Sequence, residues 1–212
     1  MSRAERPIGV ELFAGVGGMS LGFEEAGFNV VAAFELDEIH VEYHQKNFPR
    51  CQTIKADISE LNGADVRRLG KLGDRQIDVL FGGSPCQGFS LIGRRDHEDP
   101  RSELLFDFAR LVDELKPNYF VVENVGGLLI GDAKRFHDDF VALVEAAGYS
   151  VCAPWLLKAT DFGVPQRRTR VFIVGYKRKL TKPIMPIGSF ADATEGSERN
   201  GSSLELCPTV WD

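Results

Sequence analysis

Short apolar runs rich in β-branched residues alternate along this chain with stretches of helical spacing, and that alternation admits few folds. Residues 8–13 form an apolar run ending in glycines, helix spacing follows over 19–26 until Gly27, and 29–34 reads as strand again. Asp37 caps a helix that runs to about residue 48 and is halted by Pro49; 51–55 is a short strand candidate and 77–81 a stronger one. Over 101–116, Leu104, Leu105, Phe108, Leu111, Val112 and Leu115 recur at helix spacing before Pro117. Strand 119–122, helix 133–147 with Gly148 as its C-cap, and strands 150–157 and 170–176 follow. Apolar strands separated by helices need cover on both faces, so the expected fold class is α/β: a mostly parallel twisted sheet with helices on both faces.

At 212 residues the chain is long enough for one sizeable core. No apolar run approaches the ~20 residues of a membrane span, and no signal-peptide core opens the sequence. The expected location is therefore cytoplasmic, with no membrane partner. The four cysteines are scattered, with neither zinc spacing nor disulfide density, so no metal is expected. With 25 Lys and Arg against 31 Asp and Glu, the net charge of −6 excludes a grip on nucleic acid by bulk electrostatics. Any such contact must be local or borrow surface from elsewhere.

Three places carry chemistry. The Gly-rich stretch Phe13-Ala14-Gly15-Val16-Gly17-Gly18 follows a strand and opens a helix, where backbone can approach a ligand closely and free amides face it. A tight structural turn is the simpler alternative. Glu35, 20 residues after Gly15 at the end of the second strand, suits ribose hydroxyls. Asp57 either takes an adenine amino group or caps the helix beginning near Ser59, and Phe13 could stack on a purine. The motif falls short of the dinucleotide fingerprint, so a smaller adenosine-containing ligand fits it better.

The second place is Ser84-Pro85-Cys86-Gln87, a turn at a strand end that presents a thiol where open α/β sheets bind ligands. A depressed pKa would make Cys86 a nucleophile; Cys51, Cys152 and Cys207 read as inert small hydrophobes. The third comprises Glu123-Asn124, at the end of the adjacent strand, and Gln166-Arg167-Arg168-Thr169-Arg170, with three arginines entering a strand. Glu123 is either aimed into the same crevice or a solvent-facing strand-end acid. His40 and His44, four residues apart, read as one helix face.

Phe13-x-Gly15-x-Gly17-Gly18, Pro85-Cys86-Gln87, Glu123-Asn124-Val125 and Gln166-x-Arg168-x-Arg170 together resemble the cytosine-C5 DNA methyltransferase family of bacterial restriction–modification systems, over roughly residues 8–176. The resemblance implies the Rossmann-like fold of S-adenosylmethionine-dependent methyltransferases. It assigns Cys86 to attack on cytosine C6, Glu123 to ring N3, Asn124 to holding the site, Arg170 to the cytosine O2 and Arg168 to orienting Glu123. It assigns Phe13, Ala14, Gly15, Gly17, Gly18, Glu35, Leu36, Asp57, Ile58, Pro85 and Leu105 to the cofactor, with S-adenosylhomocysteine as product. The target base is expected to be flipped out of double-stranded DNA, and 88–101 resembles the loop that closes over it.

The same resemblance divides the chain into a catalytic and cofactor-binding domain at 1–180 and a linker at 181–212. The family's target-recognition region and late Asn-containing motif are not found here, so a second polypeptide carrying the former joins the expected partners. Two alternatives stand beside this reading: an RNA (tRNA) cytosine-C5 methyltransferase, and a cofactor-binding fragment or subunit inactive alone.

Overall fold

The computed structural model describes residues 6–85, 103–191, 198–199, 202–203 and 205–208. Its centre is one sheet. The chain enters through β1 (Ile8–Leu12), α1 (Gly18–Glu25), β2 (Asn29–Glu35), α2 (Glu38–Asn47) and β3 (Gln52–Lys55). It continues through α3 (Gly63–Leu69), β4 (Val79–Gly83), α4 (Glu103–Leu115), β5 (Tyr119–Val125) and α5 (Lys134–Ala146). β6 (Tyr149–Val151), β7 (Trp155–Lys158) and β8 (Thr169–Lys177) complete the sheet. Its order is β3-β2-β1-β4-β5-β8-β6, with β7 also paired to β8. The first five strands run parallel; β8 is antiparallel to β5, β6 and β7.

From β1 the chain winds outward through β2 and β3, then returns to lay β4 on the other side of β1. The winding reverses between β1 and β4. In open α/β sheets a crevice opens at that reversal, beyond the carboxyl ends of the strands. The turn after β1 and the turn after β4 both lie there, and they are two of the three chemistry-bearing segments.

Each face of the sheet has its own apolar layer. Val10, Leu12, Ala32, Phe34 and Leu80 point toward α3, α4 and α5, where they meet Val66, Phe108, Leu111, Phe140 and Val144. Ala33, Val79 and Phe81 point the other way, onto Met19 and Phe23 of α1 and onto Phe28 and Phe48. α4 buries Leu105, Phe108, Ala109, Leu111, Val112 and Leu115, as its spacing predicts.

Two local expectations need correction. The strand expected over 150–157 is two strands, β6 and β7, lying along the same margin of β8 and interrupted at 152–154. Pro154 has no amide to give the ladder, although the Cys152 amide still reaches the Val174 carbonyl at 2.8 Å. The helix expected near Ser59 is a single 3₁₀ turn, Ile58–Glu60. A separate helix, α3, follows, started by a capping box between Asn62 and Asp65.

Beyond β8 the two-residue strands Phe190–Ala191 and Glu205–Leu206 pair in parallel. Ala191 and Cys207 are buried, and the Cys207 thiol donates to the Val164 carbonyl at 3.4 Å. Among the described residues no helix is long and apolar enough to cross a membrane.

Candidate active site

The crevice holds two cavities that share Phe13 and Gly83 as a common wall. The first, of about 610 Å³, lies over the ends of β1, β2 and β3. Its floor is the loop after β1, whose conformation is unusual for its residues. Phe13 adopts a left-handed φ of 57°, which costs a bulky residue on the order of 1–3 kcal/mol and persists only where surroundings enforce it. The Ala14 amide bonds the Phe34 carbonyl, and the Gly17 amide bonds the Ala14 carbonyl, each at 3.0 Å. Gly17 is at φ 99°, and a Cβ there would stand 2.1 Å from the Phe48 ring. Only glycine fits that position.

Glu35 locks this loop to the end of β2. One carboxylate oxygen accepts the Gly15 amide at 2.7 Å; the other accepts the Leu36 and Asp37 amides at 3.0 and 2.9 Å. Asp37, Glu38 and Asp57 line the same cavity, making it strongly acidic. Amide hydrogen bonds, first from His40 and then Ile39, hold Asp37 below the usual carboxylate range, and Lys55 does the same for Glu38. Such a wall suits a ligand bearing positive charge. Asp57 caps its 3₁₀ turn through the Ser59 amide at 2.9 Å while its side faces the cavity.

The second cavity, of about 500 Å³, lies over the ends of β1, β4, β5 and β8. The β5–β8 register sets Val125 opposite Arg170 and Glu123 opposite Phe172. Because β8 runs backwards, its first residues arrive at the carboxyl end of β5. Arg170 Nε therefore donates to Glu123 Oε1 at 2.8 Å, and Arg168 Nη2 lies 3.5 Å from the same oxygen. Gly83 keeps the space over Glu123 Oε2 open, since a Cβ there would approach it to 3.0 Å. Glu123 is thus a clamped carboxylate facing a cavity, and the solvent-facing alternative falls. The next residue, Asn124, is buried; its amide nitrogen donates to Ser84 Oγ at 3.2 Å, pinning the turn after β4.

The family model described as C-5 cytosine-specific DNA methylase matches residues 9–207. The chain belongs to this family. It is 46% identical over 208 residues to the type II methyltransferase M.XorII of Xanthomonas oryzae pv. oryzae, covering 98% of this chain and 49% of that protein. It is 35% identical over 205 residues to M.AquIA of Picosynechococcus sp., covering 93% of this chain and 80% of that one. A crystal structure of an E. coli prophage protein described as a DNA modification methyltransferase superposes with a TM-score of 0.73 at 39% identity, covering 81% of this chain and 47% of that one. The chain spans about half the length of the first curated relatives it matches.

Within this member of the C-5 cytosine-specific DNA methylase family the structure sorts the residues named from sequence. Phe13, Gly15, Glu35, Leu36, Asp57, Ile58 and Pro85 line the acidic cavity. Ala14 and Gly18 line the cavity of Glu123, Arg168 and Arg170. Gly17 supports the loop from behind. Leu105 is buried in the core, and its neighbour Leu104 takes the cavity wall. Cys86, and the loop over 88–101, lie outside the described residues; Pro85, the residue before Cys86, lines the acidic cavity.

His44 is fully buried against Glu11, Ser20 and Thr53. Glu11 lines the second cavity. An acid inside an otherwise apolar strand was the signal for it.

Proposed function

We propose that this chain is the catalytic and cofactor-binding part of a DNA cytosine-C5 methyltransferase that acts on a flipped-out cytosine with S-adenosylmethionine. One observation carries the reading: a carboxylate clamped by two arginines faces a cavity roomy enough for a base, which shares a wall with an acid-lined one. Two ligands can therefore sit side by side, one planar and polar, the other cationic. The acidic donor set fits S-adenosylmethionine, with Glu35 for its ribose, Asp57 for its adenine and Phe13 as a stacking face.

The residue types follow from the chemistry. Cytosine C5 is a poor nucleophile until a thiolate adds at C6, which saturates C6 and shifts the C5–C6 π pair into a C4–C5 enamine, with N3 taking up the displaced pair. Cys86 is assigned that thiolate; it follows two residues after Ser84, which Asn124 holds. Glu123 hydrogen-bonds or protonates N3, so the electron pair gained on addition is stabilised. Arg170 holds Glu123 and is within reach of the base O2, and Arg168 supports the same carboxylate. When bound, S-adenosylmethionine supplies an electrophilic methyl group to C5. Loss of the C5 proton and expulsion of Cys86 then restore aromaticity.

Reading of the target sequence is assigned to protein surface outside these 212 residues. The net charge of −6 and the half-length match to the relatives support this.

The decisive experiment measures transfer of a labelled methyl group to duplex DNA, with the recognition region supplied where needed. Cys86→Ser should abolish transfer while S-adenosylhomocysteine still binds. A fully active Cys86→Ser protein would remove the mechanism. Labelling of tRNA in place of DNA would keep the chemistry and change the substrate.

A further inference from the structure

Glu11 occupies a position that the sheet otherwise treats as apolar. Its register partners are Ala33 on β2 and Phe81 on β4, both fully buried, while Val10 and Leu12 face the opposite layer. The carboxylate is 2% exposed, and burial pushes its pKa up against the bonds it receives. A hydrophobic side chain would fill this place at lower cost.

The compensation comes from two helices and an outer strand. Ser20 of α1 donates to Glu11 Oε2. His44 Nε2 of α2 lies 3.5 Å from the same oxygen and 3.2 Å from Ser20 Oγ. His44 Nδ1 lies 2.8 Å from Thr53 Oγ1 on β3. All four residues are buried, so one polar chain links β1, α1, α2 and β3.

This chain of contacts ends at the Gly-rich loop. A Cβ on Gly17 would come within 3.0 Å of the His44 ring, and Phe48, which closes the space behind Gly17, packs on that ring with centroids 4.8 Å apart. Asn47, one helical turn on, donates to the Val16 carbonyl at 2.9 Å. α2 and its C-cap residue Phe48 therefore meet the loop at three points, and His44 is the one of the three that also hydrogen-bonds to a strand of the sheet.

We propose that His44, held in place by Thr53, is a positioning residue for the cofactor loop: it ties Glu11 and Ser20 to the Gly17 turn and so fixes the geometry in which the loop meets its ligand. The inference rests on reading the acidic cavity as the cofactor site. It assigns His44 no contact with substrate or cofactor.

The test compares the wild-type chain with Thr53→Val, His44→Leu and His44→Gln by three measurements. These are amide hydrogen exchange at Gly15 and Gly17 in the free protein, the ¹⁵N signature of the His44 ring, and calorimetric affinity for S-adenosylhomocysteine. Thr53→Val keeps shape and should keep the fold; it should release the ring from a single tautomer, speed loop exchange and weaken binding about fivefold, the ordinary worth of one buried hydrogen bond. His44→Gln, whose amide can still donate toward Glu11, should retain more affinity than His44→Leu. Wild-type loop exchange in Thr53→Val would overturn the inference, whether or not the ring signature changes. A wild-type chain that binds no cofactor would overturn the reading of the cavity instead, and loop exchange would still decide the role of His44.

Discussion

Glu123 and Glu11 face the same cavity in opposite electrostatic settings. Glu123 meets two guanidinium groups, whereas Glu11 meets a hydroxyl and an imidazole within an apolar layer. Arg170→Ala should therefore leave S-adenosylhomocysteine affinity intact and lower methyl transfer about 100-fold or more, the usual scale for disabling a positioned acid–base group; single-turnover labelling measures it. Glu11 predicts a pH effect on stability. Its pKa is raised in the folded chain, so the native state holds this proton more readily than the unfolded one. Stability from this group is complete below the ordinary glutamate range and is lost as pH rises through the folded value. Glu11→Gln cannot titrate, so its melting temperature should exceed the wild-type value at neutral pH, with the gap closing as pH falls toward 4.5. Glu123 and Asn124 stood out in sequence because they sit at the end of β5, and Arg168 and Arg170 because they flank the start of β8. The His44–Glu11 contact was not, because its partners are far apart in the chain and α2 is polar nearly all round, burying only Val41 and His44.

Among the elements, those with a strong period were legible: β1, β2, β4, β5 and β8 from apolar runs, and α1, α2, α4 and α5 from spacing and stops. α3 escaped because seven residues show too little periodicity, and its start depends on the reciprocal Asn62–Asp65 bonds. The break between β6 and β7 escaped because apolar residues continue through it; only Pro154 marked it. The loop after β1 is the element on which the proposed cofactor site turns, and its tolerance is narrow. Gly17→Ala would put a methyl group into Phe48 at a left-handed φ. It should destabilise the chain by about 2 kcal/mol or more, from strain and overpacking together. Chemical denaturation reads that loss, and S-adenosylhomocysteine affinity should fall with it.

Taken as a whole, the molecule is acidic, and among the described residues the arginines that line the two cavities sit at the start of β8. The chain alone should bind duplex DNA no more tightly than about 10 µM at physiological salt, within the non-specific range. Fluorescence anisotropy would show this, and submicromolar binding would place the DNA grip inside these residues. The fold class was readable from alternation alone, and the crevice with its two cavities follows from the strand order, which a linear pattern does not display.

The margins of the sheet have a consequence for the chain's fate in a crowded cell. One margin is β3, four residues long; the other is interrupted at Pro154, where the outer backbone offers no continuous row of donors and acceptors. Neither border is a template on which a second copy could zip up, so unwanted fibre growth is blocked by geometry rather than by charge.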